Sequence, residues 1–187
     1  MWTRPSFAEE ISNQMYTLGS RDLNCCVQCA TCSSACPAVE YMDHTPRRLF
    51  GMINAGLRDE VLASNTFWTC AACFACSEHC PKGIHPAELM YVLRRYSLWK
   101  QRYKDGLIGP EFSRRFVRTI MRTGKSYEPG YAPAFILEGG FQGLLREMRT
   151  GLKLLRRGRL PLVPSRIKRV ENFRRMLSRI MPLEGIA

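Results

Sequence analysis

Apolar residues recur three and four positions apart along most of the chain, which is the spacing of one face of an α-helix. We find no segment with the strict alternation of apolar and polar residues that is typical of a half-buried strand. The pattern predicts helices at about residues 7–18, 46–55, 58–63, 87–103, 110–123, 141–155 and 167–180. We therefore predict an all-α fold.

Capping and breaking residues mark several ends of these helices. Ser6 and Glu9 have the spacing of a capping box, and Thr45 precedes Pro46 as an N-cap precedes a first-turn proline. Gly124 stands where a C-cap would follow its helix. Segments rich in Pro and Gly predict breaks between the last three helices, at residues 127–135 and 158–165.

Two cysteine motifs interrupt the helical pattern: CVQCATCSSACP at residues 26–37 and CAACFACSEHCP at residues 70–81. Each has the form C-x2-C-x2-C-x3-C-P, and they are the only internal repeat that we recognise in the sequence. Spacings of two let three thiolates converge on one face of a cuboidal cluster, while the fourth cysteine is offset. Two complete copies predict two 4Fe–4S clusters.

The fourth cysteine of each motif has a particular role in two-cluster ferredoxins, where it ligates the other cluster. The predicted ligands of the first cluster are Cys26, Cys29, Cys32 and Cys80. The predicted ligands of the second cluster are Cys70, Cys73, Cys76 and Cys36. Cross-ligation of this kind would join the two motifs and hold the clusters close enough to exchange electrons.

Zinc and disulfides are the alternative uses of these thiols. Zinc usually takes two C-x2-C hooks separated by a longer loop, whereas each motif here presents four cysteines in one run. The nine cysteines are an odd number, and the first residues show no secretory signal. We therefore expect the cytosol, where structural disulfides are rare. Cys25 lies outside the repeat, since Thr69 has the matching place, and we predict a partly buried thiol that is not a ligand.

No pattern in the sequence points to catalysis by this chain alone. We find no Ser–His–Asp or Cys–His arrangement with local support for nucleophilic chemistry. The members of the acidic pairs Glu9–Glu10 and Asp59–Glu60 are adjacent in sequence, so they do not share a helix face. We predict that both pairs are solvated and that the chain has no catalytic residue.

Charge divides the chain of 187 residues, whose net charge is +12. Residues 1–93 carry 6 basic and 9 acidic side chains, and residues 94–187 carry 22 and 7. The basic half favours a docking arm that lays amphipathic helices on acidic partner subunits. Peripheral membrane attachment, a solvated basic surface and nucleic-acid binding are less favoured, the last because aromatic residues are not interleaved with the charges. No stretch approaches 18 apolar residues, so we expect no membrane-spanning helix.

The cysteine motifs and the residues around them resemble the HdrC subunit of heterodisulfide reductase. The resemblance covers residues 23 to about 100 strongly. Besides the paired motifs, the shared positions are Met42, Asp43, Pro46, Arg47, Trp68, Met90, Leu93 and Arg94. One departure is Ala30, where relatives often carry glycine inside the motif.

The resemblance implies an α-helical ferredoxin domain with two 4Fe–4S clusters at residues 1–103, followed by a basic helical extension at residues 104–187 that docks on partners. It implies a non-catalytic electron relay between an HdrA-like protein, which carries flavin and iron–sulfur clusters, and an HdrB-like protein, which is active on a disulfide. The chain has no Cys-Cys-Gly module of the disulfide-cleaving type. The alternative functions are a nucleic-acid-binding iron–sulfur or zinc protein and a free-standing soluble ferredoxin.

Overall fold

The computed structural model describes residues 6–15, 23–130, 140–159 and 163–180. Over these residues the protein is helical and contains no strand, which confirms the predicted all-α fold. The chain divides into two compact units, Met1–Gly106 and Leu107–Gly185. The cysteine motifs both lie in the first unit.

The first unit is built from short helices and two longer ones. Its described helices are α1 (Phe7–Ser12), α2 (Thr31–Ser34), α3 (Pro46–Asn54), α4 (Arg58–Ala63), α5 (Thr66–Thr69), α6 (Ala75–Glu78) and α7 (Pro86–Lys100). Short 3₁₀ turns lie at Leu23–Cys25 and Val39–Tyr41. Both α3 and α7 therefore follow a cysteine motif.

Local signals set the starts of the helices. The Ser6 hydroxyl accepts a hydrogen bond from the Glu9 N–H, and the Glu9 carboxylate accepts one from the Ser6 N–H, which confirms the capping box. Thr45 caps α3 by accepting from the Arg48 N–H, and Pro46 occupies the first turn, as predicted. The helix α1 ends at Ser12, and the rest of its predicted length includes residues 16–18, which lie outside the described residues.

One hydrophobic core holds the first unit together. Its members come from α1, α3, α4, α5 and α7, and α3 and α7 provide the largest share. Their fully or almost fully buried side chains are Leu49, Phe50, Ile53, Leu89, Met90, Val92, Leu93 and Tyr96. Burying a side chain of this size contributes about 1.5–3 kcal/mol. The two helices that follow the cysteine motifs are thus the scaffold on which the motifs rest.

The buried face of α7 is shorter than the sequence predicts. The apolar residues of segment 87–103 have helical spacing, which predicts one face formed by Leu89, Val92, Leu93, Tyr96, Trp99 and Tyr103. The first four are buried, but Trp99 is 44% exposed. The helix ends at Lys100, and Gln101 has a left-handed conformation with φ 51°. Tyr103 therefore lies beyond the helix and does not continue its apolar face. The prediction that the face extends to Tyr103 is wrong because the helix ends three residues earlier, and Trp99, in the last turn of the helix, is only partly covered.

A polar cluster lies beside this core. Arg58 forms an ion pair with Glu10, and its guanidinium lies 5.0 Å from the centroid of the Phe7 ring. The Tyr96 hydroxyl donates to a Glu10 carboxylate oxygen at 3.0 Å. Burial, together with this hydrogen bond, raises the pKa of Tyr96 to about 12. The prediction that Glu10 is solvated is wrong, because the fold brings Arg58 and Tyr96 to it from distant parts of the sequence.

The second unit contains α8 (Ile108–Thr123), α9 (Gly140–Arg156) and α10 (Val170–Ile180) among its described residues, with a 3₁₀ turn at Glu128–Gly130. The helix α8 begins two residues before Pro110, which lies in its first turn, where a missing N–H does no harm. No helix within the described ranges is long and apolar enough to cross a membrane.

The helices α8 and α10 pack against each other at the C-terminus of α8. Arg174 donates to the carbonyl of Met121 at 2.7 Å and to that of Arg122 at 3.3 Å, so it places its positive charge on the unpaired carbonyls of the helix end. The predicted C-cap Gly124 has φ +73°. A Cβ atom there would overlap the Ile167 side chain. This turn therefore requires glycine both for its left-handed backbone and for its lack of a side chain.

The polar cluster beside the core gives a test of the first unit. We expect Glu10→Gln to lower the free energy of unfolding by about 1–2 kcal/mol, because Arg58 and Tyr96 lose a charged acceptor in a partly buried site. The exposed Glu60 on the neighbouring surface is the control, and Glu60→Gln is expected to change the value by less than about 0.5 kcal/mol. Urea unfolding of the full chain, followed by circular dichroism, measures both. Equal effects would show that the Glu10 contacts are not stabilising.

Candidate iron–sulfur cluster sites

Each cysteine motif folds into a tight turn followed by one turn of helix, α2 in the first copy and α6 in the second. The residues on either side of the second cysteine have left-handed conformations: Gln28 (φ 56°), Ala30 (φ 70°), Ala72 (φ 54°) and Phe74 (φ 62°). This conformation costs an L-residue about 1–2 kcal/mol, whereas glycine adopts it freely. The geometry explains the glycine that the resemblance leads us to expect at position 30.

The first cavity takes its thiols from both motifs. Three come from the turn of the first motif and one from the end of the second: Cys26, Cys29, Cys32 and Cys80. The lining of this cavity also includes Arg47 and Lys82. The structure therefore brings together the four cysteines that the sequence assigns to the first cluster.

The second cavity has the reciprocal composition. Its thiols are Cys70, Cys73, Cys76 and Cys36. Its lining also includes Ala38, Phe74 and Ala87. The fourth cysteine of each motif lines the cavity formed by the other motif. This arrangement follows from the packing of α2 against α6, because each of these helices directly precedes the fourth cysteine of its own motif.

The donor sets of both cavities fit iron–sulfur clusters, which four cysteine thiolates typically hold. Mononuclear zinc also takes four thiolates, but at about 2.3 Å from one ion. Within the part of the chain that the structure describes, no group of three or more Cys, His, Asp or Glu side chains is arranged to hold a single metal ion.

Burial and hydrogen bonding make the thiols unequal. Cys29 and Cys73, the second cysteine of each motif, are exposed, whereas the other six thiols of the two cavities are half-buried. Burial raises the pKa of Cys76 to about 11 and also raises the pKa of Cys32. A hydrogen bond with the Thr31 hydroxyl lowers the pKa of Cys29. Because metal ligands are thiolates, rising pH favours metal binding at these cysteines.

Three polar groups lie against the sulfur atoms. The Gln28 side chain donates to the Cys26 Sγ at 3.5 Å, and the Thr31 hydroxyl lies 3.3 Å from the Cys29 Sγ. In the second copy the backbone N–H of Ala72 lies 3.4 Å from the Cys70 Sγ. Donors to ligand sulfurs stabilise negative charge on a cluster, so these groups belong to the electrostatic environment of the sites.

A serine after the third cysteine joins each motif to the next long helix. The Ser33 hydroxyl accepts from the Arg47 N–H at 3.0 Å, at the start of α3. The Ser77 hydroxyl accepts from the Ala87 N–H at 3.3 Å, at the start of α7. The first N–H groups of a helix have no partner within the helix, so each serine acts as a remote N-cap. The repeat aligns the two serines in sequence, but only the fold reveals their partners.

A polar side chain on each long helix holds the segment that leads into the motif. The Asn54 side-chain amide donates to the carbonyl of Leu23 at 3.5 Å, and Arg94 donates to the carbonyl of Phe67 at 2.6 Å. Leu23 and Phe67 each precede the first cysteine of their motif by three residues. Asn54 and Arg94 each lie eight residues after the proline that starts their helix. The two contacts are therefore equivalent.

The internal repeat is longer than the cysteine motifs, and the prediction that it is confined to them is wrong. Residues 23–54 and 67–94 each form a lead-in segment, a motif and a long helix. The helices bury matching positions: Leu49 and Leu89, Phe50 and Met90, Ile53 and Leu93. The sequence hides this because few residues are identical and the link from motif to helix is four residues longer in the first copy.

Residues near the motifs show how far solvent is excluded. Phe67 is fully buried and lies 5.3 Å from the half-buried Trp68 ring, so both belong to the core, as expected for ordinary core aromatics. Phe74 is 46% exposed at the second cavity and does not seal it. Cys25 is exposed, so the prediction of a partly buried thiol is wrong. It ends the 3₁₀ turn before the first motif, and neither set of lining residues includes it.

The chain is similar to known iron–sulfur proteins. Residues 22–84 match the protein family described as "4Fe-4S dicluster domain". A heterodisulfide reductase HdrC-like protein of Archaeoglobus profundus is 37% identical over 95 residues, 50% of each chain. The HdrC subunit of the H(2):CoB-CoM heterodisulfide,ferredoxin reductase of Methanothermobacter marburgensis is 30% identical over 86 residues, 46% of each chain. The HdrC subunit of the Ferredoxin:CoB-CoM heterodisulfide reductase of Methanosarcina mazei is 31% identical over 103 residues, 55% of this chain and 60% of that protein.

These relatives confirm the predicted resemblance to HdrC of heterodisulfide reductase. The chain spans about half the length of the curated relatives that it matches. The matching domain family supports 4Fe–4S clusters as the cofactors, in agreement with the thiol sets of the two cavities.

The equivalent contacts of Arg94 and Asn54 give a matched pair of variants. Arg94 also donates to the carbonyls of Trp68 and Cys70, so it makes three charge-assisted hydrogen bonds where Asn54 makes one long neutral bond. We expect Arg94→Ala to lower the free energy of unfolding by about 2–3 kcal/mol and Asn54→Ala by less than about 1 kcal/mol. Thermal unfolding of the full chain measures both. A larger effect of Asn54→Ala would contradict the role given to Arg94.

Proposed function

We propose that this chain is an electron-transfer iron–sulfur subunit of a heterodisulfide reductase-type complex. The observation that carries the proposal is the pair of cavities, each lined by three thiols of one motif and the fourth thiol of the other. Thiolate sets of this kind hold 4Fe–4S clusters, which carry single electrons. The similarity to the HdrC proteins of heterodisulfide reductases supports the assignment.

The cysteines of the two cavities are the proposed ligands, and two clusters the proposed cofactors. One cluster is held by Cys26, Cys29, Cys32 and Cys80, and the other by Cys70, Cys73, Cys76 and Cys36. Bound clusters would supply reversible one-electron chemistry. The chain itself holds the thiolates in position, through the left-handed turns and the remote caps Ser33 and Ser77, and offers hydrogen bonds to their sulfurs.

The arrangement suits a relay. The helices α2 and α6 pack against each other, so the two cavities adjoin one interface. Cys29 and Cys73 are exposed, which leaves each site one side near the protein surface, where a redox partner can approach. We propose that electrons pass between an HdrA-like protein, which carries flavin and iron–sulfur clusters, and a disulfide-active HdrB-like protein. In this relay the chain provides no catalytic residue.

The basic extension that contains the second unit is proposed to dock on those partners. Residues 104–187 carry 18 basic and 7 acidic side chains, which favours an acidic partner surface. The helix α9 exposes three large apolar side chains at helical spacing on one face of its second half: Met148, Leu152 and Leu155. Apolar residues exposed beside basic ones are typical of a helix that binds another protein through its apolar face.

Ligand substitution tests the two clusters and their cross-ligation. We expect the full chain to contain about eight iron atoms, the content of two 4Fe–4S clusters. Cys36→Ser is expected to alter the signal of the cluster held by Cys70, Cys73 and Cys76, and Cys80→Ser that of the other cluster. Iron analysis and electron paramagnetic resonance of the reduced protein measure these effects.

Two results would count against this assignment. An iron content near four would remove the two-cluster proposal. If Cys36→Ser and Cys73→Ser affected different clusters, each motif would hold its own cluster and cross-ligation would be wrong. Cys25→Ser is the control, because Cys25 is exposed and is not a proposed ligand, and it should leave both signals unchanged.

Isolation of the native complex tests the relay. We expect the full chain to co-purify with a flavin-containing protein, recognised by its flavin absorbance, and raised salt to weaken the association. Met148→Asp and Leu152→Asp should each reduce the recovered flavin at least about tenfold, the equivalent of about 1.4 kcal/mol. Thr150→Asp adds the same charge between them on another side of α9 and should have little effect. Two clusters without any flavin partner would instead favour a free-standing ferredoxin.

A further inference from the structure

The two cavities are built by equivalent positions of a repeat, so differences between them are informative. Four positions of the first cavity have polar or charged side chains, and their counterparts in the second copy are all alanine. The pairs are Gln28 and Ala72, Thr31 and Ala75, Arg47 and Ala87, and Lys82 and Ala38. At these equivalent positions, the first thiol set has polar or charged neighbours and the second has apolar ones.

The equivalence of these pairs follows from the repeat itself. Gln28 and Thr31 lie 44 residues before their counterparts, as do the first three cysteines of the motif. Arg47 and Ala87 are both the second residue of the helix after the motif, and their N–H groups make the same bond to a serine. Lys82 follows the fourth cysteine of its cavity by two residues, as Ala38 does.

Hydrogen bonds to sulfur differ between the cavities. In the first, the Gln28 side chain donates to the Cys26 Sγ at 3.5 Å, and the Thr31 hydroxyl lies 3.3 Å from the Cys29 Sγ. In the second, alanine at both positions offers no side-chain donor, and the backbone N–H of Ala72 lies 3.4 Å from the Cys70 Sγ. A donor to a ligand sulfur stabilises the more negative, reduced cluster.

The charged side chains at the two cavities also differ, and the difference favours reduction of the first cluster. Arg47 and Lys82 both line the first cavity. The Arg47 side chain is exposed and the Lys82 side chain is half-buried. No carboxylate belongs to the described lining of either cavity. Positive charge near a cluster favours the electron that reduction adds, although solvent weakens the effect of an exposed side chain.

Arg94 is a positive charge near the second motif, so it would favour reduction of the second cluster. Its guanidinium lies beside the second motif, but it donates to the backbone carbonyls of Phe67, Trp68 and Cys70 and is not among the residues lining that cavity. Its counterpart Asn54 is neutral. Arg94 is thus a cation outside the lining of the second cavity. The lining of the first cavity includes two cations, Arg47 and Lys82, and two side chains that can hydrogen-bond to sulfur, Gln28 and Thr31.

We propose that the cluster held by Cys26, Cys29, Cys32 and Cys80 has the higher reduction potential of the two, because Gln28, Thr31, Arg47 and Lys82 surround it. This inference rests on the proposed function, since it requires both clusters. A single electron taken up by the pair, from a partner protein or from a chemical reductant, therefore resides on the first cluster. At equilibrium the first site is therefore the one that holds the electron within this chain.

A potentiometric titration of the full-length holoprotein at low ionic strength tests the proposal, with both clusters followed by electron paramagnetic resonance. Iron analysis first establishes that both are present. In the variant Arg47→Ala with Lys82→Ala, the higher of the two potentials is expected to fall. The partition of one electron between the clusters should change about three- to tenfold, where tenfold corresponds to about 59 mV.

Two further variants make the test specific. Ala38→Lys places in the second cavity the charge that Lys82 supplies to the first, and should raise the lower potential. Arg48→Ala removes an exposed charge next to Arg47 that is not among the lining residues of either cavity, and should leave both potentials within experimental error. All four substituted side chains in these three variants lie outside the hydrophobic core.

The outcomes separate the inference from the proposed function. Two clusters whose potentials do not respond to the Arg47 and Lys82 substitutions would overturn the inference and leave the proposed function standing. A fall in the lower potential instead of the higher would reverse the order of the clusters and also overturn it. An iron content well below eight would overturn both, since the inference requires two clusters.

Discussion

The packing of α2 against α6 is the contact on which both cavities depend. Each helix starts inside a cysteine motif and ends just before its fourth cysteine, so this one contact carries Cys36 to the second cavity and Cys80 to the first. Neither motif surrounds a cavity with four thiols by itself. Disruption of this contact would therefore remove a thiol from both cavities. For this reason the first unit is treated as one functional element.

The scaffold that holds this contact is a duplicated one. The helices α3 and α7 provide the largest share of the core, and each contacts its own motif twice. A serine of the motif caps the start of the helix, and a polar side chain of the helix holds the lead-in segment. Left-handed turns around the second cysteine are strained for residues other than glycine. Such strain persists only where the surroundings determine the conformation, and these contacts provide that constraint.

The two copies of the repeat share the geometry of the sites but not their surroundings. The first cavity has Arg47 and Lys82 where the second has Ala87 and Ala38. The backbone positions are equivalent, so a substitution in one copy alters the electrostatics of its site without altering the frame that positions the thiols. A fold of this kind can give two chemically identical cofactors different environments.

Much of the first unit was predictable, because helical periodicity, capping residues and cysteine spacing are properties of neighbouring residues. The all-α fold, the Ser6–Glu9 capping box and the start of α3 at Pro46 were correct for this reason. The burial of Glu10 against Arg58 and Tyr96, the exposure of Cys25 and the longer repeat were not. The sequence by itself determined the helices and the two thiol motifs. Only the tertiary structure decided which side chains meet across separations as long as 86 residues, because such contacts depend on how helices pack and not on local spacing.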